Sequence, residues 1–138
     1  MSRDLLNAYY EALRSGDEAT LREMLASDIE VNYFGPPGLL PWIGRHKGFD
    51  AYLVFLERVR NNLEIVEVLQ DHVVAEGDWV VVMGRGRWRA KLTGKRIEAC
   101  MTNAFRFVDG KVAEYRVYTD TAAFAYALGR ATIAGGTR

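Results

Sequence analysis

Beyond its eighteen carboxylates, this chain of 138 residues has few side chains suited to acid–base, nucleophilic or metal chemistry near neutral pH. His46 and His72 are the two histidines and Cys100 the one cysteine. His46 sits between Arg45 and Lys47, in a stretch rich in glycine and proline. An imidazole there suits proton transfer near neutral pH, and equally a solvated loop. His72 falls in a strand-like segment and reads as structural or exposed. Two separated histidines without a carboxylate partner, and a lone thiol, predict no metal site and exclude an intramolecular disulfide. No cofactor is implied. Asp120 precedes a short helical run, so it reads either as that helix's N-cap or as a site carboxylate.

The elements that would carry these groups follow from periodicity. Leu5, Leu6, Tyr9, Tyr10 and Leu13 form the apolar stripe of a helix over residues 3–14. Ser15-Gly16-Asp17 stops it and starts a second helix with Leu21, Met24 and Leu25. Ile29, Val31 and Tyr33 alternate with polar residues as a half-buried strand. Residues 35–48 contain Pro36, Pro37 and Pro41 and read as a long ordered loop; a third helix begins at Phe49. Four strands then follow, joined at Gly77-Asp78, Thr93-Gly94-Lys95 and Asp109-Gly110, and a short helix runs from Thr121 to Leu128. A run of hairpins, not strands alternating with helices, argues for an α+β meander.

Strand parity says which side chains share a face. Val80, Val82, Gly84, Gly86 and Trp88 fall together, opposite Arg85, Arg87 and Arg89. Met101, Asn103 and Phe105 share one face of the next strand, and Tyr115 and Val117 one face of the last. Aromatic and apolar walls with few polar groups are the composition of a small-molecule site. Phe34 and Trp42 would join it from the loop. The arginine row reads as a solvated surface or a polar dimer interface. Eighteen basic residues balance eighteen acidic ones, so no nucleic-acid partner is expected. No apolar run reaches the roughly 18 residues of a membrane span, and the charged N-terminus does not read as a signal peptide. The expected compartment is the cytoplasm. One domain over residues 1–130 and a flexible tail over 131–138 are expected.

The opening helix into RSGD, VNYFGPP, GRHKGFDAY, EGDWVVV, TGKRIE and FRFVDGKVAEYRVYTD resemble, in order and spacing, the nuclear-transport-factor-2-like superfamily. The resemblance is to its SnoaL-like polyketide cyclase and ketosteroid isomerase branch. It implies a cystatin-like α+β roll: a cone-shaped, strongly bent mixed or antiparallel sheet whose concave face is covered by three helices from the N-terminal half. It also implies a homodimer through the outer sheet face.

Ketosteroid isomerases use an Asp base and an oxyanion hole of Tyr and protonated Asp. The positions matching these are Asn32, Tyr9 or Tyr10, and Asn103. An amide cannot replace the base, while Asn103 can still donate a hydrogen bond. The carboxylates and guanidinium of epoxide-hydrolase-like members match Gly84, Gly86 and Val117. Matching turns Asn32 inward, whereas alternation turns Tyr33 inward. The expected catalytic set is Tyr10, Asn103, His46 and Asp120. The expected ligand contacts are Tyr9, Asn32, Tyr33, Phe34, Trp42, Trp88, Met101, Phe105, Tyr115 and Val117. The functions implied are an isomerase or cyclase acting by proton transfer on a small apolar carbonyl compound, a binding module that has lost the carboxylates, or a protein–protein adaptor.

Overall fold

A computed structural model describes residues 3–132 of the chain. Its elements in order are α1 (Arg3–Ser15), α2 (Glu18–Met24), β1 (Leu25–Tyr33), β2 (Gly44–Lys47), α3 (Phe49–Asn62), β3 (Leu63–Glu76), β4 (Trp79–Ala90), β5 (Arg96–Val108), β6 (Lys111–Thr119) and α4 (Thr121–Ala127). The tail expected over 131–138 lies, from residue 133 onward, outside the described residues.

Local chemistry sets the boundaries. Gly16 turns with φ +74° between α1 and α2. Asp17 then caps α2 by accepting from the Thr20 backbone N–H at 3.1 Å. The β5–β6 turn places both Asp109 and Gly110 at positive φ, as a tight hairpin of right-handed twist requires.

The strands form one six-stranded sheet in the order β2-β1-β6-β5-β4-β3. Pairing is antiparallel except between β1 and β6, which run parallel, with Val31 opposite Tyr115 and Tyr33 opposite Val117. The sheet is therefore mixed, and the antiparallel meander read from the hairpins covers only β3 to β6. β2 lies in the stretch read as a loop: Gly44 to Lys47 pair with Tyr33 to Glu30 of β1. The remaining loop, residues 34–43, is tied down by side chains. Arg130 donates to the carbonyls of Leu39 at 2.7 Å and Gly38 at 3.1 Å.

One face of this sheet carries the core. Along β4, Val80, Val82, Trp88 and Ala90 are buried, while Arg85, Arg87 and Arg89 are exposed. Each of those arginines meets a carboxylate of β3: Arg85 with Asp71, Arg87 with Glu67, Arg89 with Glu64. The row is a ladder of exposed cross-strand ion pairs, each worth little to stability. Gly84 marks a close backbone approach. A Cβ there would lie 2.3 Å from the Leu69 carbonyl oxygen, where β3 is bulged between Gln70 and His72. At Gly86 the space of a Cβ is filled by the Trp88 indole. The glycines thus admit neighbouring groups and do not open the concave face. Gly84→Ala should destabilise the fold by about 1–3 kcal/mol in urea unfolding, with the slope of the transition unchanged.

Candidate functional site

The side chains projecting from the concave face meet those of α1, α3 and α4 around a cavity of about 110 Å³. Sheet register explains its floor. Tyr33, Val117 and Asn103 lie in one row across β1, β6 and β5, and Met101 lies farther along β5. Trp88 closes one side, its indole edge-on to Phe124 at 4.9 Å. Phe55, Leu56, Val59 and Arg60 of α3 form the roof, with Leu13 of α1. Trp42 reaches in from the loop and packs edge-on against Tyr33, ring centroids 6.1 Å apart.

The polar groups in this wall are few. The Asn103 side chain, 2% exposed, donates through Nδ2 to the Tyr10 hydroxyl at 3.0 Å. Its Oδ1 has no partner, and neither has the indole Nε1 of Trp42. The Trp42 ring packed on Tyr33 offsets part of the rise that burial gives the Tyr33 phenol. Burial pushes the phenols of Tyr10 and Tyr33 up to about 12, and raises that of Tyr115 as well. Arg60 donates through Nη2 to the Leu13 carbonyl near the end of α1, where a cation complements the helix dipole.

The structure brings together Tyr10, Tyr33, Trp42, Trp88, Met101, Asn103, Tyr115 and Val117 on this wall. Tyr9 lies one residue off it: its hydroxyl pairs with that of Tyr52 at 2.8 Å, and its ring packs on Phe105 and Tyr115. Phe105 is fully buried in that second layer. The alternation in β1 holds, so Asn32 points outward and donates to Glu30 at 2.9 Å, on the face where Arg45 also binds Glu30. Phe34 lies outside the cavity, 42% exposed and stacked on Tyr118.

His46 is held on β2 with Nε2 at 2.9 Å from the Trp42 carbonyl and its ring against Phe55, which fixes the loop that delivers Trp42. Asp120 accepts from the Ala123 backbone N–H at 3.2 Å and caps α4. Neither lines the cavity. The α3 residues Phe55, Val59 and Arg60 were missed by the sequence reading. Strand parity does not reach them, and only the packing of α3 shows which of its turns overhangs the sheet. Among the described residues, no group of three or more His, Cys, Asp or Glu could hold a metal ion.

A model of the SnoaL-like domain matches residues 6–115, and the chain belongs to that family, within the NTF2-like superfamily. Among solved structures, an NTF2-like protein from Burkholderia xenovorans LB400 is 28% identical, with TM-score 0.76 over 91% of this chain and 93% of that one. An NTF2-like protein of unknown function from Burkholderia pseudomallei K96243 is 25% identical, with TM-score 0.77 over 93% and 98%. A protein from Xanthomonas campestris described as having a cystatin-like fold is 24% identical, with TM-score 0.73 over 90% and 95%. A search of curated proteins finds no match.

The raised phenols make a pH prediction. In the unfolded chain a tyrosine ionises near its ordinary value of about 10. In the folded chain Tyr10 and Tyr33 hold their protons until about 12. Between those values the unfolded state binds fewer protons, so stability falls as pH rises. The phenols' contribution to the denaturant midpoint should be constant below about pH 9 and be lost through the window from about 10 to 12. Phenolate absorbance of the folded protein should lag that of the unfolded chain.

Proposed function

We propose that this chain binds a small, largely apolar molecule in the cavity over its sheet, with no carboxylate or imidazole in contact with the ligand. One observation carries this reading. The ionisable groups lining the cavity are Tyr10, Tyr33, Tyr115 and Arg60. A general base working near neutral pH must give and take a proton there. Phenols raised by burial, and a guanidinium, do not. The expected bases His46 and Asp120 are engaged with a loop carbonyl and a helix end. The second reading is an isomerase or cyclase that polarises a carbonyl. The Tyr10–Asn103 pair favours it, because a buried hydroxyl proton beside an amide can stabilise developing negative charge on oxygen. An adaptor that docks other proteins through a filled cone is disfavoured by the open space.

Size bounds the ligand. A dry apolar cavity of about 150 Å³ holds benzene, so about 110 Å³ limits the ligand to about one unsubstituted ring or smaller. In thermal-shift assays, benzene should raise the melting temperature, because it binds only the folded state. Met101→Trp, which fills the cavity, should abolish the shift. No shift from benzene or phenol would contradict the reading.

The family resemblance further supports a homodimer through the outer sheet face. Val74, Met83 and Tyr118 are 51%, 41% and 41% exposed there. Met83→Glu should shift light-scattering mass from dimer to monomer.

A further inference from the structure

The hairpin between β4 and β5 ends in Lys91-Leu92-Thr93-Gly94-Lys95-Arg96, three cations and no carboxylate. Its turn chemistry is complete without the leucine. Gly94 takes the left-handed position at φ +76° and donates its N–H to the Ala90 carbonyl at 2.8 Å. The Thr93 hydroxyl accepts from the Lys95 N–H at 3.2 Å and donates to the Ala127 carbonyl of α4 at 2.5 Å. The Lys91 N–H donates to the Asn62 carbonyl, at the end of α3, at 2.9 Å. The tip is thus braced on two helices.

Leu92 is 87% exposed, and the next most exposed large hydrophobic side chain among the described residues, Val74, is 51% exposed. A single exposed leucine is ordinary. This one is flanked by charge of one sign. Lys91 and Arg96 have no ion-pair partner among the described residues, and Lys95 lies over the Tyr126 ring at 4.2 Å. Of the carboxylates at the base of the hairpin, Glu64 is taken by Arg89 and Glu98 lies opposite Arg87. The chain carries no net charge, so the excess of cations is local to this tip.

We propose that the tip docks the protein on an anionic membrane surface, with Leu92 entering the interface and Lys91, Lys95 and Arg96 meeting the headgroups. Interfacial anchoring combines buried apolar area with attraction to anionic lipid. The tip offers both at one point. A nucleic acid would use the cations and leave the leucine in water. The contact is interfacial, since no helix among the described residues is long and apolar enough to cross a membrane. Its place suits the cavity. Ala90, at the base of the hairpin, pairs with Leu63, and Leu63, Trp88 and Phe124 line the cavity. Docking therefore sets that wall toward the bilayer, where apolar molecules dissolve. The docking itself does not depend on the cavity holding a ligand, and its test uses none.

The test is co-sedimentation of the full chain with two kinds of vesicle. One is phosphatidylcholine alone; the other is phosphatidylcholine and phosphatidylserine in about equal parts, at up to about 10 mM lipid. Binding to the anionic vesicles and not to the neutral ones is expected, weakening as added salt screens the charges. Leu92→Ser should lower the partition at least about tenfold. Lys91→Ala with Arg96→Ala should lower it about 25-fold, near fivefold for each cation. Unchanged thermal midpoints show that the variants are folded, and if one fails to fold the other decides. No sedimentation with the anionic vesicles overturns the proposal. So does binding that both variants retain in full, which places the contact elsewhere on the protein. Sensitivity to the charge substitutions alone, with Leu92→Ser binding as the wild type does, overturns it in favour of a soluble polyanion.

Discussion

The apolar side chains of this protein converge because one sheet bends far enough for helices to close over its concave face, and that bend depends on backbone meeting backbone. At Gly84 the Leu69 carbonyl occupies the place of a Cβ, beside a bulge in β3. Any larger residue would push the two strands apart where the cone must tighten. At the other edge, the parallel pairing of β1 with β6 brings Tyr33 beside Val117 and thus into line with Asn103.

The cavity that results is electrostatically one-sided. Its floor supplies amide, indole and phenol groups, all neutral at physiological pH, and the surrounding burial penalises any charge placed among them. Apart from Arg60 in the roof, the charges carried by the sheet lie on its other face: the arginine ladder of β4 with its partners on β3, and Glu30 with Arg45. Glu114, largely buried on that outer face, is met by both Arg106 and Arg116. Dividing neutral from ionic hydrogen bonding between the two faces suits a protein that holds an uncharged molecule inside.

Much of this was legible in the sequence. The hairpins from Gly77 to Gly110 and the parity of β4, β5 and β6 placed Trp88, Met101, Asn103, Tyr115 and Val117 on one face. Alternation turns Tyr33 inward and family matching turns Asn32 inward; the structure has Tyr33 on the cavity wall, as a side-chain period of two that admits no partial shift requires. The choice between Tyr9 and Tyr10 was not legible: adjacent residues of a helix sit about 100° apart, and only the packed position of α1 puts Tyr10 against Asn103. β2 was hidden because four residues, Gly44 to Lys47, carry no apolar alternation; they form a strand because β1 offers an open edge. His46 and Asp120 had the right chemistry for catalysis, but local backbone groups claim both.

The central claim, a ligand cavity with no base in contact, is tested most directly by proton exchange in the ligand itself. Cyclopentanone, a single small ring, carries exchangeable hydrogens next to its carbonyl, and their exchange with deuterated water can be followed by nuclear magnetic resonance with the protein present. The account predicts binding with no acceleration of exchange over buffer, at any pH from roughly 6 to 8, the range in which an imidazole or tuned carboxylate would act. Catalysed exchange that rises through that range and saturates, with a titration midpoint near neutrality, would contradict it and reveal a base in the cavity.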